Sequence, residues 1–416
     1  MTSDAGRAAE KVARQSYGKL IAFLAARSRD VPAAEDALSE ALAAALRTWP
    51  ERGIPDNPEA WLLTAARRNL IQAARHRNVR DNARSMVTLA FEEAEERMND
   101  VENAVFPDER LKLLFACTHP AIDRSMHTPL MLQTVLGVDA KTMARAFVAS
   151  PDAMSQRLVR AKVKIRDAGI PFAIPEQHML TERLAGVLSA IYAAYGLGWD
   201  GLDGEEDSRT GLTGEAIWLS RTLTTILPEE PEVMGLLSLM LYCEARRHAR
   251  RDIDGLYVPL EDQDTGLWNE IMMAEADALL RKAGTFDCFG PFQCQAAIQS
   301  VHVSRRRTAA TDWEALVTLY RALISMKPTL GAKVSHAAVI GRVEGAASAL
   351  TLLDGLEQRA IASYQPYWAV RAHLLSELGE SDAAAEAYRI AIGLSDNPTI
   401  CTFLTGRLKA VISRSA

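Results

Sequence analysis

The sequence has few of the features that mark secreted or membrane proteins. Its five cysteines are an odd number without CxxC spacing, which excludes a regular disulfide framework and is typical of small core residues in a reducing compartment. No apolar run approaches the roughly 18 residues that cross a bilayer. The segment MTSDAGRAAEK has no apolar core of a secretory signal. We therefore expect a cytoplasmic protein with no membrane partner.

Enzyme motifs are also missing, because the sequence has no HExxH, GxSxG or P-loop. Cys117, His119, Asp123 and His127 could be drawn as a metal or nucleophile site. A closed zinc site needs about four ligands, however, and Cys117 and His119 lie in an apolar helical stretch that Pro120 ends. Five acids between 252 and 264 lack EF-hand spacing. We predict a protein that is not an enzyme and needs no metal and no cofactor.

Positive charge is too scarce overall for a general polyanion binder. The net charge is −6, so any nucleic-acid surface must be local. The content of 48% hydrophobic and 24% charged residues is typical of a globular protein. The length of 416 residues predicts two to four domains, at roughly 100–200 residues each.

Alternating strand patterns are nearly absent, and helical spacing takes their place. In 33–49 the apolar residues Leu38, Leu42, Ala45 and Trp49 recur with the period of a helix, and 182–195 repeats the pattern. The predicted fold class is therefore all-α.

Composition shifts divide the chain. Six acids against one arginine make 92–102 an acidic linker, and Gly and Pro residues in 169–176 mark a second boundary. The Gly- and Asp-rich segment 196–214 is predicted to be a loop. The resulting units are 1–91, 103–170, 177–285 and 286–416.

A helix predicted from Asn57-Pro58-Glu59 to about His76 has one apolar side. Its other side carries a cationic, hydrogen-bonding stripe with one aromatic ring: Trp61, Arg68, Gln72 and Arg75. Residues 67–84 hold six arginines and one acid, a local charge of +5. Arginines bind phosphates, and an aromatic face can stack on an unpaired base. The alternative is a solvated amphipathic helix with Trp61 packed on a neighbour.

A helix-turn-helix pattern follows in 139–166. A short helix over 141–147 precedes a tight turn at 148–150, and Ser150 or Asp152 can cap a second helix with Pro151 in its first turn. Residues 151–170 hold five bases and two acids, a local charge of +3. This matches a recognition helix that enters the major groove, and the alternative is any short helical hairpin. The residues predicted to face outward are Ser155, Gln156, Val159, Arg160, Val163 and Lys164.

The order of these segments resembles the extracytoplasmic-function sigma factors, with sigma domains 2 and 4 and no domain 3. It consists of AAEDALSEALAAALRTWP (33–50), NPEAWLLTAARRNLIQAARHR (57–77), the charged linker and the helix-turn-helix. Further phrases resemble a subgroup with a domain of unnamed function followed by tetratricopeptide-like repeats. They are FACTHP (115–120), QRLVRAKVKIRDAGIPF (156–172), EPEVMGLLSLMLYCEARRHAR (230–250), LEDQD (260–264) and FGPFQCQAAIQSVH (289–302).

The resemblance implies a transcription-initiation factor that binds core RNA polymerase, at the β′ clamp helices and the β flap, and promoter DNA. The polymerase-binding positions are Asp36, Ser39 and Glu40, with Ser39 in place of the glutamine often seen. The loop 48–57 matches the segment that captures a flipped base of the −10 element. The stripe of Trp61, Arg68, Gln72 and Arg75 matches the −10 reader. The −35 reader matches 152–166, with Ser155, Gln156, Arg160 and Lys164 on its outward face.

Two segments depart from the family's pattern. Residues 138–141 (VDAK) differ from the usual Thr-rich start of the first helix of the helix-turn-helix, and 195–199 (YGLGW) replaces the Phe-Asn-Glu-Gly-Tyr run common in the subgroup. The second departure puts in doubt any function assigned to that run.

The C-terminal unit has weak repeats of about tetratricopeptide length. The best match has small and large residues at the offsets of one helix pair: Trp368, Ala372, Leu375, Gly379, Ala384, Tyr388 and Ala391. Stacked pairs form surfaces suited to a protein partner, and the alternative is that they only shield the sigma core. The competing function for the whole chain is a tetratricopeptide-like interaction scaffold without promoter function.

Overall fold

The computed structural model describes residues 4–78, 108–146, 150–199 and 206–415, and these residues form an all-α protein, which confirms the predicted fold class. Within these ranges no β-strand occurs, and one isolated antiparallel bridge joins Arg251 to Tyr257. None of the described helices is long and apolar enough to span a membrane. The predicted acidic linker at 92–102 lies outside the described residues.

The chain divides into two compact units, Met1–Gly198 with Asp207–Ala216, and Trp199–Glu206 with Ile217–Ala416. The helices of the first unit are α1 (Asp4–Ser28), α2 (Val31–Arg52), α3 (Pro58–Asn78), α4 (Arg110–Cys117), α5 (Arg124–Leu136), α6 (Ala140–Ala146), α7 (Pro151–Asp167) and α8 (Gln177–Trp199), the last of which runs one residue beyond it.

Short polar residues cap several of these helices, and those of α3 and α7 lie where the sequence predicts a helix start. The Asp30 side chain accepts a hydrogen bond from the backbone N–H of Ala33 at the start of α2, at 3.0 Å. Asn57 does the same for Ala60 in α3, at 3.1 Å, and Ser150 for Ala153 in α7, at 3.2 Å. Each cap satisfies an N–H that has no partner inside its helix. The boundaries predicted for α3 and α7 are therefore confirmed to within about two residues.

The core of the first unit brings its N-terminal and C-terminal helices together. Helix α1 packs on α2, α4 and α5, and α2 packs on both α3 and α7. Gly18 of α1 has no room for a side chain, because a Cβ there would lie 1.6 Å from the Val135 carbonyl oxygen. The backbones of α1 and α5 are thus in direct contact.

The second unit is also helical, and three 3₁₀ turns, at Arg247–Arg250, Leu260–Asp262 and Thr265–Leu267, connect α10 to α11. Its helices are α9 (Glu206–Ile226, shared with the first unit), α10 (Pro231–Ala245), α11 (Glu270–Ala283), α12 (Pro291–Thr308), α13 (Trp313–Met326), α14 (Leu330–Val343), α15 (Ala346–Asp354), α16 (Gln358–Ile361), α17 (Gln365–Glu377), α18 (Ser381–Gly393) and α19 (Pro398–Ser415).

Helix α10 is the buried centre of the second unit, packed between α11 and α12. Its Glu232 carboxylate accepts hydrogen bonds from the backbone N–H groups of Phe292 and Gln293, at 3.0 and 2.9 Å, and so caps α12. A Cβ at Gly290 would lie 2.4 Å from the Glu232 carboxyl carbon. The phrases EPEVMGLL and FGPFQCQ, which lie far apart in the sequence, therefore form one capping contact.

From α12 onward, neighbouring helices pack on one another in succession. The small residues Ala372, Ala384 and Ala391 are fully buried where α17, α18 and α19 meet. Gly379 turns the chain between α17 and α18 with φ +79°, a conformation that favours glycine.

The loop predicted at 196–214 is wrong over the whole of its described part, 196–199 and 206–214. Helix α8 continues to Trp199, and α9 begins at Glu206. The Trp199 carbonyl accepts a hydrogen bond from Arg250 at 2.8 Å, and the Arg250 guanidinium lies 4.0 Å from the Trp199 ring centroid. These tertiary contacts hold the end of α8 despite its glycines, whose low helix propensity suggested a loop.

Candidate nucleic-acid interface

Helix α2 presents the three residues that resemble the polymerase contact. Ala34, Ala37, Leu38, Ala41 and Ala45 are buried on one side, and Asp36, Ser39 and Glu40 are all exposed on the other. We call these three residues the α2 stripe. The carboxylates of Asp36 and Glu40 and the hydroxyl of Ser39 are therefore open to solvent, while the apolar side anchors the helix in the core.

The stripe predicted on α3 is also exposed in most of its length. Leu62, Leu63, Ala66 and Leu70 are buried, and the Asn69 side-chain amide donates to the Ala37 carbonyl at 3.2 Å, which fixes α3 on α2. Arg68, Gln72 and Arg75 face solvent. These three residues form the α3 stripe. The arginines 77, 80 and 84 that raise the local charge have side chains outside the described residues.

Trp61 differs from the other predicted −10 residues. Its ring is half-buried and meets the Trp49 ring edge to face, with centroids 5.5 Å apart and planes at 70°. Aromatic pairs prefer this geometry. The Trp61 ring is therefore packed on a neighbouring side chain, as in the alternative given in the sequence analysis. Base stacking by this ring stays a prediction.

Helix α7 presents a polar face, as predicted, with Met154, Leu158, Ala161 and Ile165 buried behind it. Ser155, Gln156, Arg160 and Lys164 are exposed, and Val159 between them is 57% exposed. We call the four polar residues the α7 stripe. The described part of α6 is Ala140–Ala146, and Phe147 and the first two residues of the turn predicted at 148–150 lie outside the described residues.

Lys162 is not part of the basic surface, contrary to the local charge of +3 predicted for 151–170. Its side chain is only 7% exposed, and its Nζ lies 2.6 and 2.8 Å from the two carboxylate oxygens of Glu35 in α2. Neither residue was singled out from the sequence. The signal was present, because Lys162 falls between Leu158 and Ile165 at core spacing.

The remaining bases of α7 have different surroundings. The Arg157 guanidinium donates to the Ser125 hydroxyl at 2.7 Å, and Arg166 pairs with Asp167 at 2.8 Å. Arg160 and Lys164 therefore carry the positive charge of the outward face.

The residues of the competing enzyme site make contacts inside the first unit. Burial raises the pKa of the Cys117 thiol to about 12, and this thiol contacts the Thr134 hydroxyl at 3.6 Å. Burial lowers the pKa of both His119 and His127, and His119 Nδ1 accepts from the Ala121 N–H at 3.1 Å. Within the described ranges, no group of three or more His, Cys, Asp or Glu side chains could hold a metal ion.

Two family models match both ends of the first unit and part of the second, and one relative matches nearly the whole chain. Residues 12–80 match sigma-70 region 2, and residues 183–284 match a family of unknown function (DUF6596). The chain is 36% identical over 405 residues to an uncharacterized protein of Rhizobium meliloti (strain 1021), which covers 97% of this chain and 94% of that protein. No solved structure matches. The chain therefore belongs to one family with the Rhizobium protein and is a sigma-70-type factor with a C-terminal domain of the family of unknown function.

Proposed function

We propose that this protein is an extracytoplasmic-function sigma factor. In this proposal the α2 stripe binds the β′ clamp helices of core RNA polymerase, the α3 stripe reads the −10 element and the α7 stripe reads the −35 element. The observation that carries it is that region 2 includes both α2 and α3, whose polar stripes face solvent while their apolar sides are buried. In this proposal the β flap of core RNA polymerase makes the second contact with the chain, close to α7.

Run-off transcription tests the proposal. Core RNA polymerase is mixed with the purified chain and with promoter DNA that this holoenzyme selects from a random library. We expect transcripts that start at one position and require the chain, with core polymerase alone as the control. Polymerase binding without any selected promoter would instead favour the interaction scaffold.

The C-terminal helices support a second part of the proposal. Helix pairs α14–α15 and α17–α18 each turn at a glycine with positive φ, Gly345 and Gly379, and bury small residues between helices. Such helix pairs support the proposal of tetratricopeptide-like repeats. We propose that they form a platform for a protein partner that regulates the sigma part.

The first prediction concerns base reading by α7. Arg160→Ala and Gln156→Ala should each cost about 1–3 kcal/mol at one base-pair position and relax the sequence preference there. Lys164→Ala should weaken all sequences alike and reduce the salt slope by about one unit, because a phosphate contact carries no sequence information. Binding of holoenzyme to a library of single-base promoter variants measures both effects. Uniform losses from all three variants would contradict base reading.

The second prediction concerns promoter melting by α3. Arg75→Ala should reduce open-complex formation, because in this proposal the guanidinium of exposed Arg75 holds the backbone of the melted strand. Binding to core polymerase should stay unchanged, since the α2 stripe is intact. Permanganate footprinting measures the melted bases, with Arg359→Ala, an exposed arginine of the second unit, as the matched control. Undiminished melting would mean that the α3 stripe is only solvated.

A further inference from the structure

An acidic loop follows α10 in the second unit. Residues 251–264 hold five acids and one arginine, a local charge of −4. Ile253, at the tip of this loop, is fully exposed. In the second half of the loop, 257–263, Gln263 is buried, and its side-chain amide donates to the Val258 carbonyl at 3.3 Å. The loop therefore has a tip in solvent and an anchored second half.

Two side chains of the segment 257–263 contact helices of the C-terminal stack, α12–α19. The Tyr257 ring meets the Phe403 ring of α19 edge to face, with centroids 5.5 Å apart and planes at 78°. Glu261 forms an ion pair with Arg342 of α14, and the two side chains are 45% and 40% exposed. Aromatic pairs prefer the first geometry, and an exposed ion pair adds little stability. Both contacts position the segment without burying it.

Arg305 of α12 holds the backbone of the same segment. Its guanidinium donates to the carbonyls of Leu260, Glu261 and Gln263, at 2.7, 2.7 and 3.0 Å. Burial lowers the pKa of Arg305, and the Asp262 carboxylate, which lies within electrostatic range, raises it. Contacts to carbonyls do not depend on side chains, so any peptide that follows the same path can accept them.

These contacts place the segment along one side of the C-terminal stack. Successive helices of the stack pack on one another, but α12, α14 and α19 are not successive. A short segment that contacts all three lies on the side that the first and last helices both face. We call this the inner side of the stack. Concave surfaces of stacked helix pairs are the ones that bind partners.

The inner side carries the charge opposite to that of the loop. Arg342 and Arg407 both lie within electrostatic range of His373 in α17. Partial burial lowers the pKa of this histidine, Glu377 raises it, and the two arginines lower it further. Together with Arg305, they give the inner side three guanidinium groups beside a loop of charge −4. Complementary charge of this kind selects a partner and steers its approach.

Building on the partner platform proposed above, we propose that the inner side of the stack is the docking site of an acidic peptide segment of a partner protein, and that the chain's own segment 257–263 occupies this site as an internal ligand. The partner segment has an aromatic residue four positions before a carboxylate, which is the spacing of Tyr257 and Glu261. Its ring packs on Phe403, and its carboxylate pairs with Arg342.

An internal ligand competes with any external one. A segment joined to its site by a short connection acts at an effective concentration in the millimolar range, so a partner peptide must displace it. Weakening the contacts of the loop therefore raises the affinity for an external peptide, although the site itself is unchanged. A loop with only a structural role would give no such gain, because no peptide could take its place.

Charge exchange across the ion pair tests the site in the full-length chain. The acidic probe is a fluorescein-labelled peptide with the sequence DIDGLYVPLEDQD (252–264), and a second peptide carries arginine in place of its glutamate. Glu261→Arg repels Arg342 and releases the loop, while the inner side stays cationic. Arg342→Glu also releases the loop, but it reverses the charge of the site. Glu386→Arg, which breaks the exposed pair with Arg389 in α18, is the matched control.

Fluorescence anisotropy measures the binding of each peptide. We expect the acidic peptide to bind Glu261→Arg about tenfold or more tightly than the wild type, because the internal competitor is weakened. Arg342→Glu should reverse the preference and bind the arginine peptide more tightly than the acidic one. An acidic peptide with alanine in place of its tyrosine should bind Glu261→Arg about fivefold more weakly, since Phe403 loses its partner ring. The control should bind each peptide as the wild type does.

The docking site is overturned if neither released variant binds a peptide more tightly than the wild type. Equal affinity of the two peptides for Glu261→Arg and for Arg342→Glu would overturn it as well, because charge would then not select the ligand. Far-UV circular dichroism checks the helix content of each variant. If Glu261→Arg is not folded, the binding of the arginine peptide to Arg342→Glu decides.

The peptide measurements and the transcription measurements fail independently. If the acidic peptide binds as expected but transcription does not depend on the C-terminal helices, the docking site stands and the regulatory platform fails. If transcription depends on these helices but no variant gains affinity for a peptide, the platform stands and the acidic docking site fails.

Discussion

Replacing Gly290 with alanine should lower the free energy of unfolding of the second unit by about 2–4 kcal/mol. The new Cβ would lie within 2.7 Å of three atoms of the Glu232 side chain, so the carboxylate must move away. Its two hydrogen bonds to the α12 amides would then be lost, and each charge-assisted bond contributes about 1.5–3 kcal/mol. Urea unfolding measures the change, and hydrogen exchange of α10 and α12 amides assigns it to this contact.

Two other variants separate the cap from general effects of added methyl groups. Gly406→Ala in α19 has no atom within 4 Å of its Cβ and should be neutral or stabilising by up to about 1 kcal/mol. Glu232→Gln keeps one acceptor and should lose about half of the effect of Gly290→Ala. Equal stability of Gly290→Ala and Gly406→Ala would mean that α12 is held by its apolar contacts alone.

The helices that carry the stripes could be predicted because their signals are local. Asn57 and Ser150 cap α3 and α7, and the apolar period of each helix falls on its buried side. The end of α8 could not be predicted, because Arg250 holds Trp199 from 51 residues further along the chain. The hydrogen bond between Glu232 and the start of α12 joins residues 60 positions apart, and it could not be predicted from local sequence either.

The chemistry of single residues was harder to predict than their position in a helix. Lys162 was counted among surface bases because composition says nothing about burial, although its helical spacing places it with Leu158 and Ile165. Trp61 lies on the predicted side of α3, yet its ring meets Trp49 across a turn whose geometry no local pattern sets. In both cases a residue of another helix, Glu35 for Lys162 and Trp49 for Trp61, sets the surroundings of the side chain.

Removing the C-terminal helices should reduce promoter-driven transcription by roughly tenfold or more, within the range of couplings between domains. We expect a loss, because the resemblance implies that the subgroup needs its extension for activity. A cut near 290 would remove α12 and the partners of Glu232, and would unfold α10 along with any regulation. The cut is better placed after Leu378, which removes α18 and α19.

This cut respects the packing of the second unit. Tyr367 and Leu374 of α17 belong to the apolar cluster of α12–α17 and keep their contacts after the cut. Ala372 and Leu375 of α17 pack against α18 and α19 and lose these contacts. Stacked helix pairs tolerate loss of a terminal pair when the new end is polar, so the truncated chain also carries Leu375→Lys. Circular dichroism and light scattering check that it is folded and monomeric before run-off transcription is measured. If the truncated chain is folded and monomeric and transcribes like the wild type, the last helix pair has no role in the sigma function. If transcription is lost while core polymerase affinity is unchanged, the helix pair acts after polymerase docking, at promoter recognition.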